Sequence, residues 1–111
     1  MSLAVRLPPG LSPYPDPDSR ERELDDLAVR LGGELVEYGR SREDRPLRAL
    51  QLRGAPGRPR LLCSANIHGV EYIAGRVVLG LAQRIADSDP ELQRLRARAE
   101  LWLIPCLNPD G

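Results

Sequence analysis

Leu24, Leu27, Ala28 and Leu31 recur at helical spacing with polar residues between them, which predicts a helix with one apolar stripe. Asp18 and Ser19 are both good caps for its start, and acidic residues follow in the first turn, where the helix dipole favours them. Gly32-Gly33 ends it by permitting a left-handed residue. The period then changes to two. Glu34 to Arg40 alternates through Leu35, Val36 and Tyr38, and Ser41 to Pro46 is a polar turn. Leu47 to Leu52 sets Leu47, Ala49 and Gln51 against Arg48, Leu50 and Leu52. This pair predicts an antiparallel hairpin.

After a second turn from Gly54 to Pro59, Arg60 to Ala65 reads as a third strand, apolar on both faces and therefore expected at a central position. A helix beginning near Val70 carries Val70, Ile73, Ala74, Val77, Val78, Leu81, Ala82 and Ile85 in an unbroken stripe, with Arg76 and Arg84 outside it. Asp87-Ser88-Asp89-Pro90 stops that helix and caps a short polar one from Glu91 to about Arg98. Leu101 to Ile104 is the fourth strand, too apolar for a comfortable exposed edge, and Asn108-Pro109-Asp110-Gly111 is a turn. Strand, helices and strand make a βαβ unit, so strands three and four are expected to run parallel with a right-handed crossover. The fold class is α/β: a mixed sheet with an N-terminal antiparallel hairpin, then a parallel βαβ unit. Residues 1–17 are rich in proline and read as an extended arm, leaving 18–111 as one domain.

Composition narrows the function classes. Hydrophobic residues make up 41% of the 111-residue chain, enough for a core, and 29% are charged. Sixteen basic residues, all arginine, balance sixteen acidic ones, so no net field attracts nucleic acid or an anionic membrane. Aromatic residues are 4% and no nucleic-acid-binding motif is present. Cys63 and Cys106 make no disulfide framework and lie in apolar runs, where cysteine behaves as a small buried hydrophobe. No apolar run approaches the roughly 20 residues that span a bilayer, and the proline-broken N-terminus is no signal peptide. A cytoplasmic location is expected.

In open α/β sheets the ligand crevice lies beyond the carboxyl ends of the strands. His68, the chain's single histidine, follows strand three, and Asn108 follows strand four, so both belong on that rim. Glu71 stands three residues after His68, so the two side chains can reach one point if helical geometry begins at the corner. Gly69 removes a side chain where a bulky group would crowd an ion. Imidazole nitrogen and carboxylate oxygen are both zinc donors, at about 2.0–2.2 Å, and a catalytic zinc takes three protein ligands plus an open water position. The competing reading is structural: a corner histidine bonded to backbone and a first-turn glutamate stabilised by free amides.

Asn66-Ile67-His68-Gly69-Val70-Glu71 resembles the His-x-x-Glu zinc motif of the carboxypeptidase A family of zinc metallocarboxypeptidases. Tyr38-Gly39-Arg40-Ser41 followed by Arg45-Pro46-Leu47 resembles that family's hairpin ahead of the motif, and Leu107-Asn108-Pro109-Asp110-Gly111 resembles its turn after the next strand. The resemblance implies one Zn2+ ion, with His68 and Glu71 as two of its three protein ligands, and hydrolysis of the C-terminal bond of a peptide or peptide-like substrate. It also implies a third ligand, a histidine, and a general-base glutamate, both downstream of Gly111, so these residues contain no catalytic base. The chain is therefore expected to be the N-terminal part of a catalytic domain, inactive alone.

Two alternatives stand beside it. Cys106 to Gly111 also resembles the corresponding segment of murein-peptide amidases, and N-acyl amino acid deacylases share the His-x-x-Glu corner. The third possibility is a non-catalytic structural or interaction domain. In every reading Asp110 belongs to a turn and has no catalytic role.

Overall fold

The computed structural model describes residues 17–54, 56–68 and 72–110. Their order is α1 (Pro17–Leu31), β1 (Glu34–Arg40), β2 (Pro46–Leu52), β3 (Arg60–Ser64), α2 (Tyr72–Ala86), α3 (Pro90–Arg98) and β4 (Glu100–Ile104). Helix α1 already includes Pro17, so Asp18 and Ser19 sit in its first turn and do not precede it. The rest of the proline-rich arm lies outside the described residues. Gly32, at φ +63°, turns the chain out of α1 as its lack of a side chain allows. Asp89 caps α3 by accepting the Glu91 and Leu92 amides, with Pro90 in the first turn.

The strands form one mixed sheet in the order β1-β2-β4-β3. β1 and β2 are the predicted antiparallel hairpin, with a register shift between Glu37 and Gly39. β2 pairs antiparallel with β4, and β4 pairs parallel with β3 from Arg60↔Glu100 to Ser64↔Ile104. The α/β class and the parallel βαβ unit are both present.

Strand positions differ from expectation. β3 lies at the end of the strand order, and β4 is interior. The reason is the route of the chain: β4 returns between the hairpin and β3, so the later apolar strand receives two neighbours. Leu103 is accordingly 1% exposed, whereas Leu61 and Leu62 are 44% and 66% exposed.

The core lies between one face of the sheet and the helices. Leu50 and Leu52 of β2 stand opposite Leu103 and Leu101 of β4. Against them pack Leu24, Leu27, Ala28 and Leu31 of α1 with Val78, Leu79, Ala82 and Ile85 of α2. Each fully buried leucine or isoleucine contributes about 1.5–3 kcal/mol. α1 and α2 run side by side in the same direction, tied near their starts by Arg76–Glu23 (2.5 Å) and near their ends by Arg30–Asp87 (3.0 Å). Arg48 of β2 reaches back to Glu21 and Asp25, fixing α1 over the hairpin. The apolar stripe read from α2 is wider than the face the fold covers. Leu79 is buried although it fell outside the stripe, while Ile73 and Val77, inside it, are exposed. α1 shields one flank of α2, and no described element shields the other. None of the described helices is long and apolar enough to cross a membrane.

Candidate functional site

The corner after β3 is built by backbone bonds to the segment after β4. The Ala65 amide donates to the Ile104 carbonyl (2.9 Å), continuing the parallel ladder one step past the strand. The Leu107 amide then donates to the Ala65 carbonyl (2.9 Å), and the Asn108 amide to the Asn66 carbonyl (3.1 Å). The Asn108 side-chain amide donates to the Ile67 carbonyl at 3.3 Å. Three successive carbonyls leading up to His68 are therefore held from across the rim. The sequence placed His68 and Asn108 on the same rim, and the structure brings their neighbourhoods into direct contact.

Asn66 makes the bend. It adopts φ +62°, a left-handed conformation that asparagine tolerates better than most residues. It is 3% exposed, and its side-chain nitrogen donates to the Cys106 sulfur at 3.1 Å. Both cysteines are free: Cys106 is buried beneath the corner and Cys63 is half-buried in β3. The Tyr38 hydroxyl is pushed above its usual 10.0 first by burial and then by the negative charge that Cys106 would carry.

Beyond this bend His68 is exposed, above a braced backbone. Gly69, Val70 and Glu71 lie outside the described residues, and with them the second predicted ligand. Among the described residues no group of three histidine, cysteine, aspartate or glutamate side chains could hold a metal ion. The described residues supply one donor of a type zinc accepts, the His68 imidazole, beyond the carboxyl end of β3 in the parallel pair. Helix α2 is seated close behind, because Gly75 lets it approach the carbonyl of Pro105. A Cβ there would come within 2.8 Å of that oxygen.

Asp110 is more than a turn residue. Its Oδ1 accepts from the Ser41 hydroxyl (2.7 Å) and from Arg45 Nη1 (2.8 Å), and its Oδ2 accepts from the Glu43 amide (3.1 Å). Burial would raise this carboxyl, but the bonds from Ser41, the Glu43 amide and Arg45 outweigh it and hold the group below its usual 3.8. The same contact, followed by Glu43, raises Arg45. Sequence reasoning missed these partners, since 65 to 69 residues separate them from Asp110. The one available signal was a serine and an arginine bracketing the hairpin loop.

Known proteins resemble this chain over most of its length. A family model described as zinc carboxypeptidase matches residues 24–111. Carboxypeptidase A2 of Rattus norvegicus is 30% identical over 95 residues, covering 81% of this chain and 23% of the relative. Carboxypeptidase D of Mus musculus is 33% identical over 99 residues, covering 69% and 7%. Among solved structures, a metallo-carboxypeptidase from Burkholderia cenocepacia superposes with TM-score 0.77 at 27% identity, over 86% of this chain and 27% of that one. A metallo-carboxypeptidase from Pseudomonas aeruginosa, in complex with (2-guanidinoethylmercapto)succinic acid, gives 0.68 at 29%, over 86% and 26%. The chain thus spans no more than 27% of the length of these relatives.

Proposed function

The chain belongs to the zinc carboxypeptidase family, and from that premise we propose that it forms the N-terminal part of a catalytic domain that removes the C-terminal residue of a peptide or peptide-like substrate. His68 and Glu71 are two of the three protein ligands of one zinc ion. The third ligand, a histidine, and the general-base glutamate come from residues beyond these 111, so the chain alone binds zinc weakly and does not hydrolyse peptides. The observation that carries this reading is the braced corner, in which an exposed histidine sits on a backbone held at three successive carbonyls.

Zinc, when bound, supplies a Lewis acid for the scissile carbonyl and lowers the pKa of a water ligand to about 7. The chain's own part is to offer the donors, the first of them on a braced backbone. His68 would present an imidazole nitrogen and Glu71 a carboxylate, and the bonds from Leu107 and Asn108 brace the backbone leading to the first of these. Such preorganisation matters because a metal site loosened by a fraction of an ångström loses much of its rate advantage. The complex of the Pseudomonas aeruginosa relative with a succinic acid derivative supports a substrate bearing a carboxylate.

The test compares this chain with one extended to the length of its relatives, each with and without His68→Ala. Zinc content and release of C-terminal residues from peptides are measured. The extended protein should hold one zinc and hydrolyse peptides, and His68→Ala should abolish both. Tight, stoichiometric zinc in the 111-residue chain would contradict the shared-ligand reading. Unchanged zinc and activity in the extended His68→Ala protein would leave the corner a purely structural feature.

A further inference from the structure

We infer that Asp110 is a positioning residue for the His68 corner, acting through the turn that separates the two. The turn is clamped on both sides. On one side the Asp110 carboxylate receives Ser41, Arg45 and the Glu43 amide, and its side chain is only 18% exposed. On the other, Asn108 holds the carbonyls of Asn66 and Ile67, the two residues directly before His68. Pro109, with its fixed φ, links the two ends stiffly.

The loop that grips Asp110 is itself a closed unit. The Ser41 amide donates to the Arg45 carbonyl (2.9 Å) and the Asp44 amide to the Ser41 carbonyl (2.9 Å). The Ser41 hydroxyl oxygen accepts the Arg45 amide (3.0 Å), and Arg40 donates to the Asp44 carbonyl (2.9 Å). A restraint thus runs from the hairpin loop through Asp110 and Asn108 to the backbone that carries the imidazole. None of these residues belongs to the buried core. Releasing Asp110 should therefore free the rim without opening the body of the fold, which separates a positioning role from a merely stabilising one.

This inference rests on the reading of His68 as a metal ligand for one of its two measurements and is independent of it for the other. Because the chain holds a single histidine, its imidazole proton signals in NMR report on His68 without ambiguity. The full chain is compared with Asp110→Ala, Asp110→Asn, Ser41→Ala and His68→Ala. Hydrogen exchange is followed at the Leu107 and Asn108 amides, and Zn2+ is titrated against the imidazole signal or, for His68→Ala, by calorimetry. Asp110→Ala should speed exchange at those two amides by about tenfold or more. It should weaken Zn2+ binding by about 10–100-fold, as loss of outer-shell support at metal sites does, with the melting midpoint close to wild type. Asp110→Asn, which keeps one acceptor oxygen, should fall between the two.

Unchanged exchange at Leu107 and Asn108 in Asp110→Ala would overturn the inference. So would a loss of Zn2+ binding matched by equal acceleration of exchange throughout the core, since that describes a stability defect. If His68→Ala binds Zn2+ as wild type does, the metal assignment of His68 fails instead, and the exchange measurement alone decides the role of Asp110.

Discussion

β3 and β4 are parallel neighbours of equal length, five residues each, and both read in sequence as short apolar strands. Their fates differ. β4 lies between β2 and β3 and buries Leu101, Leu103 and Ile104, while β3 ends the strand order and leaves Leu61 and Leu62 substantially exposed. Composition does not separate them, and neither does the pattern. What separates them is the number of strands that flank each, a property of the chain's path. An apolar strand records a capacity for burial, and the topology decides how much of it is used.

The sharpest way to break this comparison is to truncate one leucine on each strand. Leu103→Ala should cost about 2–5 kcal/mol, the range for a large-to-small change in a packed core. Leu62→Ala should stay within about 0.5 kcal/mol in the 111-residue chain. Urea denaturation of both variants checks this, and equal losses would mean that β3 is covered after all. In a chain extended as proposed above, the cost at Leu62 should rise toward that at Leu103.

A smaller effect sharpens the contrast at the ends of the strands. Gly75→Ala drives a methyl group toward the Pro105 carbonyl just beyond β4, where backbone must shift to receive it. Overpacking of this kind costs about 1–3 kcal/mol. Exchange at the Leu107 amide should rise along with the fall in denaturation midpoint. A variant as stable as wild type would show that α2 can slide away from the sheet freely.

The smallest effect concerns an ion pair that joins the two strands. Arg60 of β3 and Glu100 of β4 stand opposite each other and pair at 3.0 Å. The Glu100 carboxyl is held below its usual 4.5, first by a hydrogen bond from Gln51, against burial, and then by Arg60. A depressed carboxylate pKa stabilises the fold above the ordinary value, and that contribution disappears as pH falls through the lowered one. Melting from about pH 6 to about pH 2 should therefore fall more steeply in wild type than in Glu100→Gln. Parallel curves would mean that the pair contributes nothing measurable to joining β3 to β4.

Much of the fold was legible because it is local. The stripe Leu24, Leu27, Ala28 and Leu31, the alternation around Leu50 and Leu52, and the cap at Asp89 each announce themselves within a few residues. The strand order was not legible, because nothing near Leu61 or Leu103 says which strand returns beside which. The same limit applied at the candidate site. His68 and its rim position followed from the strand-to-helix corner, whereas the bond from Asn66 to Cys106 and the grip of Ser41 and Arg45 on Asp110 join positions 40 or more apart. Glu71, the other ligand the motif implies, lies outside the described residues, so its pairing with His68 rests on sequence and family alone.

Asn66 answers two demands at once, and together they leave its position little freedom to vary. Glycine could take the left-handed backbone but has no group to donate to Cys106; aspartate tolerates the backbone yet would bury a carboxylate at a position 3% exposed, against a thiol that is only a weak donor. Serine, threonine and the β-branched hydrophobes fail on the backbone first. A mutational scan of the corner should thus find position 66 nearly closed while exposed Ile67 beside it accepts many residues, so drift among homologues would be read there as a sharp step between two adjacent letters.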